Sequence, residues 1–190
     1  MIIFETRKDM IKFYADKIIK PKILELGVFQ GEFLEFLEQT IDYGSIEGVD
    51  LFYGKIGSGD HDGNNVTHCD MSIQRILLDD KYRSNPNVNL YQSRTDNYLS
   101  YQDNDKYDII YIDADHSYNA VKKDIELSFQ KIKDGGFIMG HDYELNKKKC
   151  FHNWNFGTKR AVDEFCEKYN QKIIAKGNDG CVSFCIQVHK

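Results

Sequence analysis

Three ionisable side chains, Asp113, Asp115 and His116, stand together where an apolar run, Ile109-Ile-Tyr-Ile112, gives out. Carboxylates beside an imidazole can exchange protons near neutral pH, which makes the cluster a candidate general acid–base centre. A second cluster follows the same pattern. Gly135-Gly136 opens Phe137-Ile-Met139, and that run ends in His141-Asp142-Tyr143. Residues 118–132, between the two, carry helical periodicity. A single strand–helix–strand crossover would set both acidic ends side by side at the carboxyl ends of parallel strands, where ligands of open α/β sheets bind. Along an extended strand Asp113 and Asp115 share a face, and His116 can turn toward it once the chain leaves the strand. The competing use of Asp115, His116 and Ser117 is to cap the helix that follows.

Elements that could position these groups are legible along the chain. Residues 5–19 read as a helix stopped by Pro21, and Lys22-Ile-Leu-Glu-Leu-Gly27 as the first sheet strand. Gly27 and Gly31 then bracket a turn into an amphipathic helix through Phe33, Leu34 and Leu37. Residues 45–51 form the next strand and carry Asp50, about 20 residues past the glycines, where an acid can accept both hydroxyls of a ribose. Residues 52–68 are polar and rich in Gly, Asn and Asp, too long for an ordinary connection. A helix over 69–81, a strand over 88–91 followed by Ser93 and Arg94, the two acidic-ended strands and a helix over 158–169 complete the series. Residues 172–176 and 181–188 read as a closing hairpin. The expectation is one three-layer α/β domain, Rossmann-like, with a mostly parallel seven-stranded sheet and a C-terminal antiparallel hairpin.

Composition narrows the function. The 190 residues are 41% hydrophobic and 29% charged, with a net charge of -5. That charge supplies no general field for nucleic acid or an anionic membrane surface. No apolar run reaches the roughly 18 residues of a membrane span, and the first residues lack the order of a signal peptide, so the expected location is cytoplasmic. Five cysteines with no paired spacing suit buried thiols better than a disulfide framework. With that charge, nucleic acid and membrane partners drop in rank.

The glycine turn separates two ligand classes. A dinucleotide fingerprint needs G-x-G-x-x-G, whereas Gly27 and Gly31 are spaced G-x-x-x-G with Glu25 just before them. That carboxylate would repel a pyrophosphate and suits a cationic ligand; S-adenosylmethionine carries a sulfonium and an ammonium. Here the residues resemble the class I S-adenosylmethionine-dependent methyltransferases, whose first motif has the form E/D-x-G-x-x-x-G. The resemblance implies that Glu25 lies near the methionine amino group and that Gly27 and Gly31 line the cofactor. It further implies that Asp50 binds the ribose, that Ser93 and Arg94 sit near the adenine, and that Asp113 is among the cofactor-binding residues. For Ser93 the alternative is a helix cap.

Ile112-Asp-Ala-Asp-His-Ser-Tyr118, Gly140-His-Asp-Tyr143 and Gly157-Thr-Lys-Arg160 are similar to small methyltransferases of sugar and polysaccharide modification, and to metal-dependent O-methyltransferases of sugars and catechols. In those relatives the acids at the positions of Asp113 and Asp142 hold a divalent cation, which implies Mg²⁺ or Mn²⁺ here. The chain departs from them in having Tyr143 where the catechol type has Asn and His141 where the macrolide-sugar type has a second acid; His141 is kept as a candidate ligand. Asp115 or His116 is the expected base, and Tyr143 and Trp154, with Lys147, Lys148 and Lys149 nearby, the expected acceptor contacts. A nicotinamide enzyme and a non-catalytic cofactor-binding subunit are the rival readings.

Overall fold

A computed structural model describes residues 1–58, 67–145 and 156–190. Its main sheet has eight strands. In chain order these are β1 (Ile2–Phe4), β2 (Lys22–Leu26), β3 (Ser45–Asp50), β6 (Val88–Gln92), β7 (Tyr107–Ile112), β8 (Ile132–Leu145), β9 (Ile173–Asn178) and β10 (Cys181–Gln187). The short β4 (Lys55–Ser58) and β5 (Thr67–Asp70) pair with each other as an antiparallel ribbon. Six helices intervene: α1 (Arg7–Ala15), α2 (Glu32–Thr40), α3 (Met71–Tyr82), α4 (Thr95–Ser100), α5 (Tyr118–Lys131) and α6 (Thr158–Lys168).

Strand order across the sheet is β1-β9-β10-β8-β7-β2-β3-β6. Only β10 runs against its neighbours, β8 and β9; the other pairings are parallel. The central strands are buried on both faces, as a parallel sheet covered by helices requires. Alternation divides their side chains between two cores. Ile23, Ile46, Ile109 and Tyr111 face α1, α2 and α3, while Leu24, Leu26, Ile110 and Ile112 face α4, α5 and α6. The expected three-layer α/β architecture with its closing hairpin is therefore present.

Two expectations are corrected. The sheet has eight strands rather than seven, because Ile2–Phe4 adds itself parallel to β9 at the edge. Three residues, exposed at Ile2 and Ile3, are too short a run to be read as a strand. The stretch 52–68 is also not irregular throughout, since its two ends form the β4–β5 ribbon.

The added strand matters for the site. As β9 runs parallel to β8, the carboxyl end of β1 lies at the same sheet edge as those of β7 and β8. The helix start follows at once: Thr6 caps α1 by accepting from the Asp9 amide at 3.0 Å, and returns a hydroxyl hydrogen bond to the Asp9 carboxylate. Arg7, the first residue of α1, is thereby delivered to the edge where the acidic clusters end.

Candidate active site

A cavity of about 650 Å³ runs along the carboxyl edge of the sheet. Its walls come from the ends of β2, β3, β6 and β7, and include Glu25, Gly27, Asp50, Ser93, Arg94, Asp113, Asp115 and His116, with Arg7 from α1. Groups far apart in sequence share this space because parallel strands end at one edge.

The turn after β2 explains its glycine. Gly27 has φ +94°, and a Cβ there would lie 2.1 Å from the Asp113 carbonyl oxygen. No other residue fits so close an approach between the β2 and β7 ends. Beyond it, Phe29 is also in the left-handed region at φ 51°. Asp50 offsets that strain: Oδ2 accepts from the Val28 and Phe29 amides, both at 2.9 Å, and Oδ1 from the Phe52 amide at 2.9 Å. The ribose-binding residue implied by sequence is thus also the clamp of the glycine turn. Each carboxylate oxygen has two lone-pair sites, so Oδ1 retains capacity for a hydroxyl donor. Gly31, at φ +82°, begins α2, where a Cβ would strike the Leu78 side chain.

Two glutamates on adjacent strands are buried, and they differ. Glu47 on β3 accepts from Lys106 Nζ at 2.9 Å and from the Tyr98 hydroxyl at 2.6 Å. Burial opposes its ionisation, but these partners outweigh burial and hold its pKa below the usual value. Glu25 on β2 is 1% exposed, and its Oε2 has no hydrogen-bond partner among the described residues. Burial, followed by the charge of Asp113, pushes its pKa well up. An orphaned buried carboxylate on a cavity wall is costly unless a ligand supplies a donor, and an ammonium fits. Gly27 against the β7 end and this acid meet what S-adenosylmethionine needs at its methionine end.

Ser93 and Arg94 lie at the β3–β6 flank. Ser93 does not cap α4; the N-cap position is Arg94, with no side-chain cap, and the Arg94 guanidinium pairs with Asp96 at 3.1 Å.

At the opposite flank Asp113, His116 and Asp142 bring one ligand-type atom each within 4.8 Å of one another. His116 Nε2 is 3.1 Å from Asp142 Oδ2, and the Phe156 ring stands edge-on to the imidazole at 5.0 Å. Asp142 reaches this position through a bulge: between Gly140 and Glu144, β8 places three residues against the single Ser183 of β10. Asp142 takes φ 54° there, an uncommon conformation for which aspartate is among the better-suited residues. Asp115 is used differently. Its Oδ1 accepts from the Ser117 amide at 2.8 Å, leading the chain into α5. The N-cap of α5 is Ser117, with no side-chain cap hydrogen bond, so Asp115 shapes the turn before the helix without capping it, and the His116 side chain turns to Asp142.

His141 is not part of the Asp113–His116–Asp142 group. Its Nδ1 meets Ser183 Oγ at 2.8 Å, and it forms a separate group with Asp142 and Cys181. Burial lowers its pKa and favours the neutral imidazole. Tyr143, expected as an acceptor contact, does not line this cavity. It is 5% exposed and outside the cavity wall, with its hydroxyl donating to Asp163 of α6 at 2.6 Å, because the bulge turns it onto the α6 side of the sheet. Trp154, Lys147, Lys148 and Lys149 lie outside the described residues. Cys185 is fully buried, as a structural thiol should be.

Arg7 was not legible from its own neighbourhood. Its Nη1 donates to Asp113 Oδ2 at 2.9 Å, and its guanidinium lies over the Phe33 ring at 5.0 Å. The available signal was Thr6-Arg-Lys-Asp9, a capping box that begins the helix at residue 7. Burial raises the Asp113 pKa against the pull of His141, Arg7 and His116. With Oδ2 taken by Arg7, Asp113 keeps Oδ1; together with the Asp142 carboxylate this is a hard oxygen donor set that fits Mg²⁺ or Mn²⁺.

A family model described as a methyltransferase domain matches residues 24–143, from β2 to the bulge of β8. The chain belongs to the methyltransferase domain family. Solved structures share its fold at low sequence identity. An O-methyltransferase from Bacillus cereus in complex with S-adenosylhomocysteine is 15% identical with a TM-score of 0.60, over 96% of this chain and 78% of that one. The N-methyltransferase NodS from Bradyrhizobium japonicum is 10% identical with a TM-score of 0.65, over 96% and 93%. An rRNA methylase from Streptococcus thermophilus is 12% identical with a TM-score of 0.59, over 95% of each. No curated protein sequence matches the chain. The family supports S-adenosylmethionine as the methyl donor of this methyltransferase. Among the described residues no helix is long and apolar enough to cross a membrane.

Proposed function

We propose that this methyltransferase moves the methyl group of S-adenosylmethionine to an oxygen of a hydroxylated small molecule or glycan, a sugar hydroxyl, with His116 as general base and Asp113 and Asp142 as the seat of a divalent cation. The observation that carries the reading is the 3.1 Å contact of Asp142 with His116, which lines the cavity. Methyl transfer to an amine needs no comparable base once the amine is neutral. A sugar hydroxyl is a weak nucleophile until its proton is removed.

S-adenosylmethionine supplies an electrophilic methyl group on a sulfonium. Glu25 would hold its ammonium and Asp50 its ribose, while Gly27 lets the chain pass close to the ligand. A proton on His116 Nε2 donated to Asp142 leaves Nδ1 as the basic nitrogen, and the Asp142 carboxylate stabilises the imidazolium that forms when Nδ1 takes the acceptor's proton. A divalent cation held by Asp113 and Asp142 would supply Lewis-acid stabilisation of negative charge on the acceptor oxygen. Asp115, fixed to the Ser117 amide, shapes the wall beside His116. The net charge of -5 favours neutral or glycan acceptors over nucleic acid.

The test is methyl transfer from labelled S-adenosylmethionine to a panel of sugars, nucleotide sugars, catechols and amines, with and without EDTA. Labelled O-methyl sugar formed in a cation-dependent reaction is the expected result. Transfer confined to catechols or amines would overturn the acceptor. Activity surviving both EDTA and Asp113→Ala would remove the cation.

A further inference from the structure

In the same cavity as the orphaned Glu25 stands a feature that the sequence motifs did not anticipate, a guanidinium held at the wall from outside the matched family segment. Arg7 and Glu25 line the same cavity, and Arg7 is near enough to lower the Glu25 pKa against the effect of burial. The position of Arg7 is built rather than incidental. β1 carries it to the sheet edge, its backbone packs where a Cβ on Gly177 would lie 2.8 Å from Arg7 Cα, and its guanidinium rests on the Phe33 ring. Guanidinium offers five N–H donors in a planar fork. Among the described residues, Nη1 serves Asp113 at 2.9 Å, the Tyr111 hydroxyl also interacts with the guanidinium, and Nε faces Asp179 only at 3.9 Å, beyond hydrogen-bond range, which engages fewer than the five donors. Donors therefore remain for a planar, anionic group entering the cavity.

We propose that Arg7 binds the α-carboxylate of the methyl donor, and that Arg7 and Glu25 together form a subsite that reads its amino-acid end as a zwitterion. The inference rests on S-adenosylmethionine being the donor. An opposed pair of this kind explains why the chain keeps a buried carboxylate and a partly buried guanidinium on one wall: each lacks a full set of partners, and one zwitterion provides both. It also gives the edge strand β1 a function, since the three-residue strand holds Arg7 in place.

Binding calorimetry separates this from a purely structural ion pair with Asp113. The wild-type protein is titrated with S-adenosylmethionine and with its decarboxylated analogue, which keeps the ammonium, sulfonium and adenosine. We expect the analogue to bind at least tenfold more weakly, the scale of one charge-assisted contact. In Arg7→Met the two ligands should bind alike, and Arg7→Lys, which keeps the charge without the fork, should restore part of the difference. Equal affinity of both ligands for the wild-type protein overturns the assignment whether or not the variants fold. So does an undiminished preference in folded Arg7→Met. If the wild-type protein binds neither ligand nor S-adenosylhomocysteine, the donor reading falls and this inference with it.

Discussion

His116 Nε2 and Asp142 Oδ2 meet at 3.1 Å across two strand ends that are 26 residues apart in sequence, and the contact exists because β8 bulges. With regular pairing, His141 and Asp142 would project to opposite faces; the bulge against Ser183 instead accompanies an Asp142 carboxylate that meets His116, a residue of the cavity wall. His116→Ala should lower kcat by about 10²- to 10⁴-fold, the usual contribution of a general base, and leave S-adenosylhomocysteine affinity unchanged. Asp142→Asn is the sharper probe, because asparagine tolerates the left-handed backbone there. Its fold should hold while kcat falls. Wild-type turnover in both variants would end the dyad's assignment.

Asp50 and Gly27 should couple binding to stability. Asp50→Ala removes the acceptor of three backbone amides as well as the ribose contact. Hydrogen bonds to a charged group contribute about 1.5–3 kcal/mol each when intact, so urea unfolding should show a loss of at least about 2 kcal/mol alongside weaker S-adenosylhomocysteine binding. Gly27→Ala, with its Cβ driven against the β7 backbone, should do the same. Weaker binding with unchanged unfolding in Asp50→Ala would mean that its clamp on the turn contributes nothing.

Asp124 gives a pH signature independent of catalysis. It is 1% exposed, accepts from the Thr95 hydroxyl at 2.8 Å, and burial pushes its pKa up to about 6. Its folded-state pKa thus exceeds the unfolded value of about 3.9, so the protonated form favours folding. Its stabilising effect is complete below about pH 4 and lost as pH rises to about 6, a change of about 3 kcal/mol. Asp124→Asn, fixed in the neutral form, should flatten that segment of the stability curve and unfold at higher urea than wild type at pH 7.5. An identical slope between pH 4 and 6 in both proteins would rule this out.

Central elements were readable because β2, β7 and β8 are short apolar runs with strong signals at their ends, and because the carboxyl edge of a parallel sheet is a predictable place for a ligand. What escaped reading depended on contacts distant in sequence. Arg7 meets Asp113 only because a three-residue edge strand finds β9. Nothing in His141-Asp142-Tyr143 alone states that Ser183 will face all three, so the choice of His116 over His141 as the partner of Asp142 waited on the pairing of β8 with β10. The position of Tyr143 was hidden for the same reason: after the bulge its hydroxyl donates to Asp163.

Glu25 should release a proton when the donor binds. Burial, with Asp113 beside it, raises its pKa in the free protein, and an ammonium next to Oε2 must lower it. In the pH window between the bound and free values the protonated acid of the free protein becomes a carboxylate in the complex, so affinity rises with pH there. Calorimetric titration of S-adenosylhomocysteine in buffers of different ionisation enthalpy measures the proton count directly. We expect release in the wild-type protein and none from this source in Glu25→Gln, whose affinity should also be lower and less dependent on pH. Equal proton release in the two proteins would place the ammonium elsewhere and leave the buried Oε2 atom without its ligand.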